Sequence, residues 1–242
     1  MEVIVRTPED VQKLGTILGV WAHPDDESFL AAGLLAAAVA KNQRVVLVTA
    51  TRGEAGVRDE TRWPRARLAD IRTAELAEAL QILCITDHRW LDYGDGLCNS
   101  VAADQAVARI EKIIDEVQPD TILTFGPEGL TGHPDHICAS NWATQAAKGR
   151  PINLYYAVED ESRYQKYLKD LDEEFDIYFN IDKPPLREAK QCEIALTLPD
   201  TLVAKKRAAL LAMPSQYEGM LDTQSAEVLQ AILSLECFVR AT

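Results

Sequence analysis

The hydrophobic pattern of the chain alternates between two periods. Residues 16–20 (Thr-Ile-Leu-Gly-Val) and 44–50 (Arg-Val-Val-Leu-Val-Thr-Ala) are apolar runs without alternation, the signature of strands covered on both faces. An Ala/Leu-rich run at 29–40 between them reads as a helix, so the segment predicts a right-handed βαβ unit. From 66 to 83, Leu68, Ile71, Leu76, Ala79, Leu80 and Leu83 recur at helical spacing, and 85–91 holds a short strand. A second amphipathic helix over 101–117 carries Ile110, Ile113, Ile114 and Val117 and stops ahead of Pro119. Strand 121–125, helix 137–148 and strand 153–158 continue the alternation. This succession predicts an α/β fold, a mostly parallel sheet flanked by helices in three layers.

The pattern changes after residue 158. Residues 159–182 are rich in charge and tyrosine, with one β-like run at 175–181, and read as an excursion near a site or at an oligomer surface. The acidic run Asp172-Glu173-Glu174 reads as a solvated face. Beyond the break at Pro184-Pro185, the pattern predicts a strand at 194–198, a helix at 201–213 with a basic face (Lys205, Lys206, Arg207), and a last helix at 226–235. At the other end, Thr7 followed by Pro8 reads as a helix start. The expectation is one domain over 1–242, with its core at about 16–158 and a C-terminal excursion at 159–242.

Composition narrows the function classes. The longest uncharged apolar run, 29–40, falls short of the roughly 20 residues that span a bilayer, so no membrane span is expected. An N-terminus bearing Glu2, Glu9 and Asp10 has no secretory signal pattern, and five scattered cysteines without a C-x-x-C pair read as free thiols. Both point to the cytoplasm. A net charge of −13, with no basic run longer than Lys205-Lys206-Arg207, argues against a nucleic-acid partner. A small neutral or weakly charged molecule fits better, and a homo-oligomer stays open.

The candidate chemistry lies where predicted strands end. Strand 16–20 runs into Trp21-Ala22-His23-Pro24-Asp25-Asp26-Glu27-Ser28, and strand 121–125 leads into a loop ending Gly132-His133-Pro134-Asp135-His136. Ligands of open α/β sheets bind outside the carboxyl ends of strands. His and Asp three apart, plus a further His, supply the three protein ligands of a catalytic zinc site. Such an ion polarises a carbonyl and acidifies its bound water, a further carboxylate can take the water's proton, and a spare His can stabilise an oxyanion. Singly, each residue has an ordinary reading, since Asp-Asp-Glu at a helix start caps and compensates the dipole. Three of the four histidines falling in two His-Pro-Asp sequences is not explained by capping; the fourth, His88, reads as structural or surface. Spacing does not choose between Asp25 and Asp26, or between His133 and His136, as the ligand.

Ala22-His23-Pro24-Asp25-Asp26-Glu27, Thr51-x-Gly53-Glu54-x-Gly56 and Gly132-His133-Pro134-Asp135-His136, in this order, resemble the LmbE/PIG-L-type N-acetylglucosamine de-N-acetylases. The likeness runs from about Thr16 to Val158 and more faintly to Ser215-Gln216. It implies a Rossmann-like fold and a hydrolase that removes acetyl from an N-acetylglucosamine-type substrate, by attack of a zinc-bound water on the amide carbonyl. It implies His23, Asp26 and His136 as ligands of Zn2+, with Fe2+ as the alternative occupant in the cell. Asp25 would be the general base, His133 the electrostatic stabiliser and acid to the leaving amine, and Asp135 would tune His133. Arg67 or Arg72 and Asp95 would contact substrate hydroxyls, against a plain helix-surface pairing of Arg72 with Glu75 or Glu78. Some members place a tyrosine two residues before the first histidine of the second motif, where Thr131 stands here. Two rivals remain: a metal-dependent amidase acting on a thiol-sugar conjugate or an antibiotic amide, and a non-catalytic nucleotide-binding module. Against the module, no Gly-x-Gly-x-x-Gly follows the first strand.

Overall fold

The computed structural model describes residues 3–221 and 223–241. Five parallel strands form its centre: β1 (Ile17–Trp21), β2 (Val45–Thr51), β3 (Asp87–Tyr93), β4 (Thr121–Phe125) and β5 (Asn153–Asp160). They lie in the order β3-β2-β1-β4-β5. Connections run outward from β1 in one direction and from β4 in the other, so the chain order reverses between these two strands, and loops at their carboxyl ends part to leave a crevice. The two-residue strand β6 (Leu186–Arg187) pairs with the end of β5, while β7 (Ile194–Thr197) and β8 (Leu235–Arg240) extend the sheet antiparallel in the order β5-β8-β7.

Side-chain alternation along the strands divides the core in two. Ile17, Trp21, Leu47, Leu123 and Phe125 face α1 (Asp26–Ala40) and α2 (Leu68–Leu83). Leu18, Val20, Val46, Val48 and Ile122 face α3 (Ala103–Val117) and α4 (Pro134–Ala147). The three-layer α/β expectation therefore holds, and β1, β2 and β4 are buried at every residue. β3 is the exception, an edge strand of mostly half-buried residues, which is why its sequence Asp-His-Arg-Trp-Leu-Asp-Tyr carries no clean apolar run. His88 sits on it, bonded through Nε2 to Thr49 Oγ1 at 2.9 Å.

Beyond β5 the described helices include α5 (Glu161–Arg163), a π-turn at Tyr164–Leu168, α6 (Lys169–Phe175), α7 (Asp200–Leu211), α8 (Pro214–Tyr217) and α9 (Ala226–Leu233). Among the described residues, no helix is long and apolar enough to cross a membrane. All five cysteines are free, and Cys98, Cys192 and Cys237 are buried.

Four sequence expectations are corrected. The N-terminal helix is a 3-10 turn at Asp10–Leu14. The run at 175–181 is not a strand: Phe175 closes α6 and irregular chain follows, because its apolar residues turn into a cavity instead of pairing with a sheet. The last helix ends at Leu233, and 235–240 is β8. Its polar Glu236 masked the strand pattern, yet that carboxylate is buried, accepting hydrogen bonds from Gly33 N at 2.9 Å and Leu34 N at 2.8 Å. Lys206, expected on a basic face, is buried beside it with Nζ 2.9 Å from Glu236 Oε1.

Removing one member of a buried ion pair strands the other. Lys206→Ala is expected to lower unfolding free energy by about 3 kcal/mol, read from urea titrations. A pH effect follows from His88, whose pKa burial, aided by the Arg52 charge, pulls down from 6.5 to about 4. The unfolded chain binds this proton below pH 6.5 while the folded chain refuses it until about pH 4, so stability is lost as pH falls through that window. Wild type minus His88→Gln should show a loss of about 2–3 kcal/mol there; an unchanged difference would refute it.

Candidate metal and active site

β1 ends at Trp21, and only four residues separate it from the start of α1 at Asp26. Asp25 has φ 139° and ψ −28°, a conformation that costs a non-glycine residue on the order of 1–3 kcal/mol and persists only where its surroundings impose it. Here they do. Arg72 of α2 donates from Nη2 to Pro24 O at 2.8 Å and to Asp25 Oδ2 at 3.1 Å, and from Nη1 to Gly53 O at 2.9 Å. Asp25 N donates to Glu27 Oε2 at 3.3 Å, and Asp25 O accepts from Ser28 N and Phe29 N, starting α1. The Arg72 guanidinium lies so close over Gly53, itself at φ 68°, that any Cβ there would collide with it. That contact accounts for the glycine in Thr51-x-Gly53-Glu54.

His23, Asp26 and His136 converge on one point. His23 Nδ1 is 3.1 Å from His136 Nε2 and 3.9 Å from Asp26 Oδ2; His136 Nε2 is 3.4 Å from Asp26 Oδ1. Three ligands of a tetrahedral ion with bonds of 2.0–2.1 Å stand about 3.3 Å apart. His136 Nδ1 donates to Gly129 O at 2.9 Å, which fixes the tautomer with its lone pair on Nε2, facing the other two. Asp26 Oδ2 accepts from Ala22 N and His23 N, leaving Oδ1 toward His136. On the far edge of the His23 ring, Nε2 meets Asp95 Oδ1 at 3.0 Å and Asp135 Oδ2 at 3.4 Å, the carboxylate backing typical of metal-ligating histidines. A divalent ion fits this donor set. Among the described residues, two sets of donors lie close enough together to hold an ion, His23 with His133 and His136, and His23 with Asp95 and Asp135; Asp26 adjoins the first set through its contact with His136.

Electrostatics follows from the burial. Desolvation works against charge on His23, but hydrogen bonds to Asp135 and Asp95 outweigh it and raise the imidazole to about 10. Burial lifts Asp25 to about 6 despite the Arg72 charge, and Glu27 to about 7. Burial and the neighbouring His23 charge push His133 and His136 down. His133 caps α4, its Nδ1 accepting from Asp135 N at 3.1 Å, which places the proton of the neutral ring on Nε2. The Asp135 carboxylate does not bond that ring; it accepts from Gly96 N at 2.7 Å, Cys98 N at 3.1 Å and His23, and reaches His133 only through its charge.

Asp95 is bound to Ala55 N at 2.7 Å as well as to His23, while Asp95 N donates to Glu54 Oε1 at 3.0 Å. The loops after β2 and β3 are thereby tied together. Arg72 is neither on the helix surface nor paired by hydrogen bond to Glu75 or Glu78; Glu75 accepts from Ser215 N and Oγ. Arg67, also expected to contact substrate, is exposed and lies outside the cavity lining. Thr131 lines the cavity, with Oγ1 3.3 Å from His136 Nδ1.

These groups floor a cavity of about 530 Å³. Sequence reasoning missed Arg58, Phe29, Tyr217 and Met220, which line it together with residues 175–179 of the stretch expected near a site or at an oligomer surface. The apolar content of 175–181 was visible in the sequence, but its assignment as a strand hid the role.

Fold and site together define an α/β protein with a His/Asp cluster able to hold a cation at the reversal point of its sheet. The profile of the PIG-L family, described as GlcNAc-PI de-N-acetylase, matches residues 18–147; the chain belongs to this family. It is 36% identical over 171 residues to the 1D-myo-inositol 2-acetamido-2-deoxy-alpha-D-glucopyranoside deacetylase of Streptomyces scabiei, covering 59% of this chain and 51% of that protein. The chain thus spans about half the length of that relative. Among solved structures it resembles the N,N'-diacetylchitobiose deacetylase of Pyrococcus horikoshii, with a TM-score of 0.65 and 19% identity over 95% of this chain and 85% of that one. It also resembles GalB, the 4-carboxy-2-hydroxymuconate hydratase of Pseudomonas putida, with a TM-score of 0.61 and 19% identity over 94% and 96%. At such identities the likeness is one of fold, and the fold hosts more than one reaction.

The donor set predicts one tight site for a divalent ion. Calorimetric titration of chelator-stripped protein with zinc should give one equivalent bound. His136→Ala should weaken binding on the order of a hundredfold or more, and Arg67→Ala should bind as wild type. Equal affinity of His136→Ala and wild type would exclude this site.

Proposed function

We propose that the protein is a metal-dependent amidohydrolase that removes the N-acyl group, acetyl in the simplest case, from a glucosamine-containing small molecule. The observation that carries this reading is the pairing of a three-ligand cation site with a strained carboxylate beside it: His23, Asp26 and His136 converge while Asp25 is turned away and held by Arg72. The name of the Streptomyces scabiei relative supports the amino-sugar amide as substrate, and the family description supports the deacetylation.

Zinc or iron(II) on His23 Nδ1, Asp26 Oδ1 and His136 Nε2 would supply Lewis acidity to the amide carbonyl and to water. The remaining chemistry belongs to the chain. Asp25, raised to about 6, is ionised at neutral pH yet basic enough to take a proton from the attacking water and return it to the departing amine, the step that the resemblance gives to His133, which burial and the His23 charge keep neutral here. His133, neutral and with its Nδ1 engaged by the Asp135 N–H, keeps Nε2–H as a donor to the developing oxyanion. Asp95 and Asp135 orient the His23 ring, and Arg72 acts as a positioning residue for Asp25, beyond the hydroxyl contact expected of it.

Acetate release from N-acetylglucosamine and from its inositol glycoside, with and without chelator, tests the reading. Activity should vanish with chelator and return with zinc. Asp25→Ala should reduce kcat/KM by about 10²–10⁴ while metal content stays near wild type. Full activity of Asp25→Ala toward every amide the wild type cleaves would sink the mechanism.

A further inference from the structure

The cavity has two unlike flanks, and the sheet order separates them. The loop after β2, helix α2 and the loop after β3 bring Arg58, Arg72 and Asp95, respectively, to one side of the β1–β4 crevice. The loop after β4 and the segment beyond β5 bring Leu130, Phe175, Ile177 and Phe179 to the other. The second flank is built onto the catalytic loop: Ile181 and Asn180 pack so closely on Gly132, at φ 74°, that a Cβ there would overlap them. Phe179 stands with its ring centroid 6.0 Å from that of His133, 57% exposed, an uncovered aromatic at the mouth of the site. Phe125 stacks on His136 at 4.1 Å and continues the apolar surface down to the cation site.

A secondary amide is planar and trans, so its acyl carbon chain and its nitrogen substituent leave the reacting carbonyl in opposite directions. With the carbonyl at the cation site and the hydroxylated ring against the Arg58–Arg72–Asp95 flank, the acyl group is directed at the apolar flank. A methyl would cover little of it. We propose that the substrate's acyl group is an apolar chain of several carbons, seated against Leu130, Phe175, Ile177 and Phe179, and that the enzyme is an N-deacylase for which acetyl is a truncated substrate. The inference rests on the amidohydrolase reading above and specifies the substrate class of the same site. The bond broken is unchanged: water adds to the carbonyl carbon, the C–N bond breaks, and the products are a fatty carboxylate and the free amine.

The test compares kcat/KM of the zinc-loaded full chain for N-acetyl-, N-butyryl- and N-hexanoylglucosamine and for the hexyl glycoside of N-acetylglucosamine. Each methylene that becomes buried is worth roughly fourfold, so hexanoyl should exceed acetyl by tenfold or more, with butyryl between. Phe179→Ser, at an exposed position, should lower the hexanoyl-to-acetyl ratio about tenfold; loss of folded protein scales both substrates and leaves the ratio unmoved. Acetyl cleaved as well as or better than hexanoyl overturns the proposal and leaves the deacetylase reading standing. A gain with the hexyl glycoside but not with hexanoyl also overturns it, assigning the flank to the aglycone. Cleavage of none of the four fails both readings.

Discussion

The buried guanidinium of Arg72 is the contact on which the site depends. It joins three elements that are separate in sequence: the turn after β1 through Pro24 O and Asp25, the loop after β2 through Gly53 O, and α2, which carries it. A cation at this depth is tolerable only because carbonyls and a carboxylate surround it. In return it fixes an aspartate in a backbone conformation that few residues adopt. Asp25 and Asp26 are neighbours in sequence, yet the strained turn sends one toward Arg72 and the other toward His136. Chemistry that needs one carboxylate as ligand and another as base obtains both from a single dipeptide.

The same economy governs charge around His23. Its ring lies between Asp26 and His136 on one edge and Asp95 and Asp135 on the other, so acidic groups from three loops share one imidazole. Without it they would repel one another in a region of low polarity. Asp135 and Asp95 also accept backbone N–H groups from Gly96, Cys98 and Ala55, which knits the loops after β2, β3 and β4 into one floor. The C-terminal part of the chain supplies the walls: Ser215 ties α8 to Glu75 of α2, Gln216 donates to Gly56 O, and 175–181 leans on Gly132. The Lys206–Glu236 pair anchors this outer part to α1 from beneath.

Sequence alone determined the central sheet, its parallel sense and the strand ends that bear the two His-Pro-Asp motifs. Strands buried on both faces have an unmistakable composition, and connection rules leave few ways to join them. It also placed three histidines and several carboxylates at one end of the sheet, since both motifs leave strands there. What it lacked was direction. Side-chain identity and spacing do not say that Asp25 turns away from Asp26, that Asp135 serves His23 by hydrogen bond, or that Arg72 and not Arg67 reaches the site, because these depend on backbone angles at one strained residue and on which face of α2 meets the loops. Lys206, Glu236 and the 175–181 run were misread for a related reason: charge is usually solvated and apolar runs usually pair, and only the packed structure reveals a buried ion pair and an apolar segment folded over a cavity.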